Sequence, residues 1–279
     1  MAAAVIGRAY RSGLRLAATP LVVSRVVAAD AARPTPAGAA RVWRMAATAW
    51  RNSRRVPTAS SFLEHLLMAA ALLDVPAEEP GLVIECGCYK GGSTVNLSLA
   101  CALAGRELHV YDSFAGLPDP TAADASHRLD ARGEIHTYAA GMYSGSLDEV
   151  RGNVARFGDP SVTRFHPGYF EDTMPGFDAP VAMAFVDVDL VASLEPCVRA
   201  IWPKLAQGGT LFVHEAEHAD IAGFFYDEDW WQTRLGTRAP GLAGSGTGVG
   251  LEPVDGRWGS SLGYARKPTN SADLPTVRG

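Results

Sequence analysis

Four short apolar runs in this chain each end in an acid, a pattern that restricts the fold more than any other feature. They are "GLVIEC" with Glu85, "ELHVYD" with Asp112, "VAMAFVDVD" with Asp187 and Asp189, and "GTLFVHE" with Glu215. Short runs rich in β-branched and aromatic residues, bounded by turn residues, read as strands. "VTRFHPG" and the tail segment "GSSLGYAR" add two candidates. Between them lie stretches with helical spacing: "GSTVNLSLACALAG", "SLEPCVRAIWPKLAQ", and "LDEVRGNVARFG", which a capping box at Ser146 to Glu149 opens. Strands alternating with helices predict an α/β fold, a mainly parallel sheet with helices on both faces. In such sheets ligands bind beyond the carboxyl ends of the strands, where these acids stand. Residues 113–145 lack strong periodicity and read as a long insertion.

The start of the chain has a different texture. Residues 1–60 hold ten arginines and a single acid, Asp30, whereas the rest carries an excess of acids. An acidic body argues against a nucleic-acid groove. The run "TPLVVSRVVAA" is short and broken by Arg25, so no membrane span is expected. "ARVWRMAATAW" and "SSFLEHLLMAAALLD" have helical spacing, with Thr58 or Ser60 placed to cap the second. The expectation is a helical extension over residues 1–57 that covers the main domain, 58–279, or a neighbouring subunit. A cleaved or membrane-surface segment is the alternative for this Arg-rich start. Cys86, Cys88, Cys101 and Cys197 form no C-x-x-C pair and read as buried reduced thiols of a cytoplasmic protein.

The stretch Glu85-Cys86-Gly87-Cys88-Tyr89-Lys90-Gly91-Gly92-Ser93 follows a strand and opens a helix. Its glycines allow a tight turn and close approach of a ligand, whose charge the helix N-terminus can meet. Asp112 ends the next strand 25 residues after Gly87, the place for a carboxylate that takes two ribose hydroxyls. Together they favour a nucleoside-type cofactor.

"ECGCYKGGSTVNLSLA", "VYDSFAGLPDP", "SLDEVRGNVARFG", "RFHPGYFEDTMP", "AFVDVDL" and "IWPKLAQGGTLFVHE" occur in the order of a known family. The set resembles the macrocin O-methyltransferase family, sugar methyltransferases of the mycinamicin and novobiocin type, over about residues 60–265. The resemblance implies a class I S-adenosylmethionine (SAM) methyltransferase fold, Rossmann-like with seven strands. It implies SAM as cofactor, a sugar or oligosaccharide acceptor, a divalent metal, usually Mg²⁺, and a homo-oligomer whose N-terminal helices form lids and contacts. Glu85, Gly87, Gly91 and Ser93 match the family's methionine-side loop, and Asp112 and Ser113 its ribose and adenine edge. Tyr169, Phe170 and Asp172 lie in its adenine-side loop, although the two aromatics equally suit core packing.

Asp187 and Asp189 are two apart, so on an extended backbone both face one way, and a cation would relieve their repulsion. In the family the first acid of this pair is a metal ligand and the second the proposed general base. Two aspartates then complete the metal site where this chain has His214 and Glu215. That exchange adds a nitrogen donor and shifts preference from Mg²⁺ toward Mn²⁺, Co²⁺ or Zn²⁺. It also leaves room for a metal-independent enzyme with His214 or His218 as base, or for a non-catalytic SAM-fold subunit. His214 to His218 spell H-E-x-x-H, the zinc-protease pattern, but that pattern needs both histidines on one helical face. Here a strand ends at His214, and the match is expected to be coincidental. Trp230 and Trp231, next to Asp227, Glu228 and Asp229, suit either a sugar acceptor or a core. "GLAGSGTGVG" reads as a mobile loop.

Overall fold

The structure, a computed structural model, describes residues 2–124, 128–129, 135–216, 218–244 and 262–269. Its centre is a sheet in the order β5 (Thr163–Pro167), β2 (Leu108–Asp112), β1 (Leu82–Cys86), β6 (Val181–Val186), β7 (Leu205–Val213) and β8 (Gly263–Arg266). All neighbours run parallel except β8, which pairs antiparallel with β7. All six expected strands form. The described residues hold six main-sheet strands where seven were expected; residues 245–261, including most of "GLAGSGTGVG", lie outside them. A two-residue ladder, β3 (Arg128–Leu129) with β4 (Ile135–His136), interrupts the long insertion.

Period-two alternation gives the sheet two apolar faces. Val83, Val110, Phe185 and Phe212 point to one side; Ile84, Ala184, Val186, Leu211 and Val213 point to the other. The first face packs on α3 (Phe62–Asp74) and α4 (Gly92–Ala104), and the second on α7 (Val191–Ile201). Helix α3 is apolar nearly all round, as a helix buried between two layers must be. Its cap is Ser61, not Thr58 or Ser60. Ser61 and Glu64 form a reciprocal capping box, while Ser60 turns inward to bond His65.

Helices α1 (Ala2–Ala31) and α2 (Ala39–Asn52) form an outer layer on α3 and α4. Val23, Val26 and Ala29 of α1 and Val42, Met45 and Ala49 of α2 join the first core. The one acid of the first 60 residues is buried: Asp30 accepts from the N–H groups of Ala37 (2.9 Å) and Gly38 (2.8 Å) and fixes the turn between α1 and α2. Arg33 donates to the carbonyls of Leu103 (3.0 Å) and Ala104 (2.9 Å), where the end of α4 is partly negative. Arg25 pairs with Asp74 at the end of α3. The basic start thus meets the acidic body through particular groups. Below it, Asn52 donates to Asn96 (3.0 Å) and Asn96 to Nδ1 of His65 (2.8 Å), whose other nitrogen meets Ser60. Burial lowers the His65 pKa to about 3, so the ring is neutral and Nε2–H is the donor to Ser60. This chain pins α2 and α3 to the helix that follows the glycine loop. Among the described residues no helix is long and apolar enough to cross a membrane.

Candidate functional site

The chain runs outward from β1 through β2 to β5, then returns to β6 on the other side of β1 and continues to β7. The switch point is therefore the gap between the carboxyl ends of β1 and β6, where such sheets hold ligands. Hydrogen bonds carry the ladder past the strand ends there: Asp187 N–H reaches the Cys86 carbonyl (2.8 Å), and His214 N–H reaches Val186 (3.0 Å).

The glycine loop lies against this gap. Gly87 has φ 81, and a Cβ on it would stand 1.9 Å from the carbonyl oxygen of Asp187. No other residue fits there without moving β6. Gly91, φ 84, is the left-handed N-cap of α4, where a Cβ would meet Val150 at 2.9 Å. Asp112 organises the loop, accepting from Cys88 N–H and Phe114 N–H, both at 2.7 Å. Its burial raises its pKa, and those backbone donors oppose the rise. Ser113 spends its hydroxyl on its own turn, donating to Gly116 and accepting from Ala115.

Glu85 is fully buried, and neither of its carboxylate oxygens meets a partner at hydrogen-bonding geometry. Burial pushes its pKa up to about 8; the nearby Ser93 and Thr94 hydroxyls offset part of this, while Asp187 and Asp112 add to it. A buried carboxylate with unspent acceptors costs several kcal/mol by order of magnitude, unless a donor or cation meets it. Ser93 is buried in the first turn of α4. Farther out, Tyr169 is exposed at the N-cap of α6 (Phe170–Thr173), Asp172 is exposed in its first turn, and Phe170 belongs to the second core.

Across the gap, Asp187, His214 and Glu215 each present a ligand-type atom, all within 4.8 Å of one another. Nδ1 of His214 stands 3.4 Å from Asp187 and hydrogen-bonds Oε1 of Glu215. Oε2 of Glu215 is buried without a partner. Burial disfavours a charged imidazole, but the Glu215 and Asp187 carboxylates together hold His214 protonated well above its ordinary range. Burial likewise raises Glu215, against the pull of His214. Asp189 is not extended: β6 ends at Val186, and Asp189 sits at φ 61. Asp187 and Asp189 therefore do not share the face of an extended strand, as the sequence spacing suggests, and the turn sets the direction of Asp189.

Among the described residues five non-glycines have positive φ: Tyr89, Phe114, Tyr143, Asp189 and Glu215. Four follow the ends of β1, β2, β6 and β7, and Tyr143 lies near the end of the insertion. Such backbone costs about 1–3 kcal/mol each and concentrates at functional sites.

The H-E-x-x-H string spans a strand end, a turn and a helix start. His214 follows β7, and His218 is the N-cap of α8 (Ala219–Phe224). They share no helical face, so the zinc-protease geometry is absent; Glu217 lies outside the described residues. The tryptophan pair divides. Trp231 is buried, and its indole N–H donates to the Phe224 carbonyl (2.9 Å). Trp230 packs on Phe224 with ring centres 4.5 Å apart. Asp227 caps α9 (Glu228–Leu235), and Glu228 accepts from Ala239 and Arg238. Those acids serve local structure. Two residues not foreseen as site residues are Tyr89 and Tyr143, whose rings meet edge-on at 6.1 Å. Asp189, Glu215 and Asp187 all bear on the Tyr143 hydroxyl. The cysteines are free and buried, as expected.

A family model described as macrocin O-methyltransferase (TylF) matches residues 37–225. The chain is 33% identical over 178 residues to 8-demethyl-8-(2,3-dimethoxy-alpha-L-rhamnosyl)-tetracenomycin-C 4'-O-methyltransferase of Streptomyces olivaceus, covering 61% of this chain and 65% of that protein. It is also 33% identical over 145 residues to mycinamicin III 3''-O-methyltransferase of Micromonospora griseorubida, covering 49% and 55%. These matches thus span less than two thirds of either relative. Among solved structures, the O-methyltransferase NovP superposes with a TM-score of 0.57 at 22% identity, covering 92% of this chain and 99% of that one. The calicheamicin methyltransferase CalS11 does so at 0.52 and 16%, covering 88% and 91%. At these identities the two structures speak for the fold alone. With the family model matched over most of the α/β body, this chain belongs to the macrocin O-methyltransferase family.

Proposed function

We propose that this protein is a SAM-dependent O-methyltransferase whose acceptor is a sugar hydroxyl, as in antibiotic deoxysugars or small oligosaccharides. The observation that carries the reading is the division of the switch point: a glycine loop with the orphaned Glu85 on one side, and a carboxylate–imidazole cluster on the other. When bound, SAM supplies a methyl group on a positively charged sulfur. Glu85 would accept from its ammonium group, and Asp112 would accept from the ribose hydroxyls with lone pairs that Cys88 and Phe114 leave over. Gly87 and Gly91 keep the backbone clear of it. Ser93, Ser113, Tyr169, Phe170 and Asp172 complete the cofactor residues on this reading.

Asp187, His214 and Glu215 fit a divalent cation by donor type, mutual distance and the unspent Oε2 of Glu215. Mg²⁺ is the first candidate, with Mn²⁺ or Co²⁺ suited by the imidazole. Such a cation would lower the pKa of an acceptor hydroxyl. Asp189 takes the proton; the hydroxyl oxygen forms the new C–O bond as the C–S bond breaks. The base role falls to Asp189 because His214 is committed in either case: to the cation when one is bound, and to a proton held by the neighbouring carboxylates when none is. Residues 1–57 are read as a helical layer for subunit contacts in a homo-oligomer. The exposed Trp43 and Trp50, about two turns apart on the outer face of α2, support this. A cytoplasmic enzyme is part of the same reading.

The test is conversion of SAM to its demethylated product with a panel of glycosides, with and without chelator. Turnover that chelation abolishes and a divalent ion restores, with calorimetric SAM binding intact throughout, is the expected result. Full activity in excess chelator rejects the metal role. No turnover with any glycoside rejects the acceptor class.

A further inference from the structure

A sugar ring has an apolar C–H face and a rim of hydroxyls, so its site needs an aromatic face beside the groups that handle the hydroxyls. Trp230 and Trp231 were the sequence candidates, but Trp231 is buried in the core and Trp230 packs at a tilt against Phe224. The long insertion provides another aromatic. Tyr143 stands near the insertion's end, just before α5 (Leu147–Phe157), 41% exposed and at φ 55. A bulky side chain at positive φ persists only where its surroundings enforce it.

The enforcement is visible on both sides. Toward the turn after β2, Leu117 N–H donates to Met142 (2.9 Å) and Gly141 N–H to Leu117 (2.9 Å). A Cβ on Gly116 would stand 2.6 Å from Gly141. Toward the glycine loop, a Cβ on Gly145 would stand 2.1 Å from the carbonyl oxygen of Tyr89. Residues 138–145 are thus clamped against both loops of the cofactor half of the site. Tyr89 meets the Tyr143 ring at 90° and 6.1 Å, and Tyr138 at 63° and 6.2 Å. Neither lies flat on it, so its exposed surface stays available for a ring to stack on. Burial and then Asp189, Glu215 and Asp187 raise the Tyr143 pKa, which puts the acids of the opposite half within electrostatic reach of its hydroxyl.

We propose that Tyr143, braced by Tyr89 and Tyr138, is the platform on which the acceptor's sugar ring stacks, at the boundary between the cofactor loop and the acid cluster. This rests on the reading of the protein as a sugar O-methyltransferase. The platform binds the ring's C–H face and turns its hydroxyls toward Asp189, and it makes no contribution to SAM binding.

Methyl glycosides of rhamnose, glucose and mannose serve as probes in steady-state methyl transfer by the full-length protein, its Tyr143→Ala and its Tyr143→Phe variants. SAM affinity is measured by calorimetry on each. Tyr143→Ala is expected to raise the acceptor KM on the order of tenfold, the scale of a lost aromatic contact. Its kcat should change less than threefold (about 0.6 kcal/mol) and its SAM affinity not at all, and Tyr143→Phe should keep the wild-type KM. Wild-type turnover with an unchanged KM in Tyr143→Ala overturns the platform alone. So does a loss of SAM binding in that variant, which would make Tyr143 part of the cofactor loop's support. Failure of the wild type to methylate any of the glycosides overturns the function reading and the platform with it.

Discussion

The two halves of the switch point are built from different materials. At the ends of β1 and β2 the chain presents mostly backbone: glycines forced by a neighbouring carbonyl, a helix N-terminus, and N–H groups held by Asp112. At the ends of β6 and β7 it presents side chains, two carboxylates and an imidazole that compensate one another's charge. A surface of backbone fixes shape and tolerates little substitution. A cluster of titratable groups is adjustable, and it holds two acids together by keeping a proton on His214. Only Glu85 in the first half resembles the second, as a fully buried carboxyl group whose oxygens no partner meets.

The sharpest way to break this comparison is to remove one acid from the second half. Asp189→Asn should lower methyl transfer by about 10²–10⁴-fold, the range for a positioned base, while SAM affinity stays within error. An equal loss of SAM binding would show that the halves are not separate.

The next effect concerns Glu85. Its folded pKa, about 8, lies above the ordinary 4.5, so the folded state holds a proton that the unfolded chain releases. Stability is therefore lost as pH rises from about 4.5 toward 8, by an amount on the order of a few kcal/mol. Urea unfolding midpoints of the cofactor-free protein across that window should fall, and Glu85→Gln should flatten the fall. The same variant should bind SAM at least tenfold more weakly. A pH profile unchanged by the substitution would mean that Glu85 is compensated after all.

The smallest expected effect is at Asp112. Asp112→Ala should weaken SAM binding about tenfold, or ~1.4 kcal/mol. It should also cost about 1–3 kcal/mol of stability by orphaning the Cys88 and Phe114 N–H groups. Weaker binding without lost stability would assign Asp112 to the ligand alone.

Local pattern made the strands, the helices after them and the acids at the strand ends legible, because burial imposes a period of two or 3.6 on neighbouring residues. The glycine loop was legible for a similar reason: a tight turn after a strand leaves its mark within nine residues. Three features were not. Ser61 took the cap of α3 because Ser60 was drawn inward by His65 in that helix's first turn, a ring that Asn96 of α4 holds across the helix layer. Trp231 went to the core because Phe224 offers its indole a carbonyl, leaving the acids beside it to cap α9 and hold Arg238.

The third is Tyr143, which sits in a stretch without periodicity and owes its place to Leu117 and Tyr89, both far away in sequence. The sequence by itself determined the α/β alternation and the residue types at the strand ends, since each is set by near neighbours and by which face is buried. Tertiary structure alone decided that His214 stands between Asp187 and Glu215, that Asp189 leaves the strand direction, and that an aromatic from the insertion meets Tyr89 of the glycine loop. Those outcomes depend on the register of β1, β6 and β7 and on one loop closing over another, and pairings between distant segments leave no periodic trace in either segment.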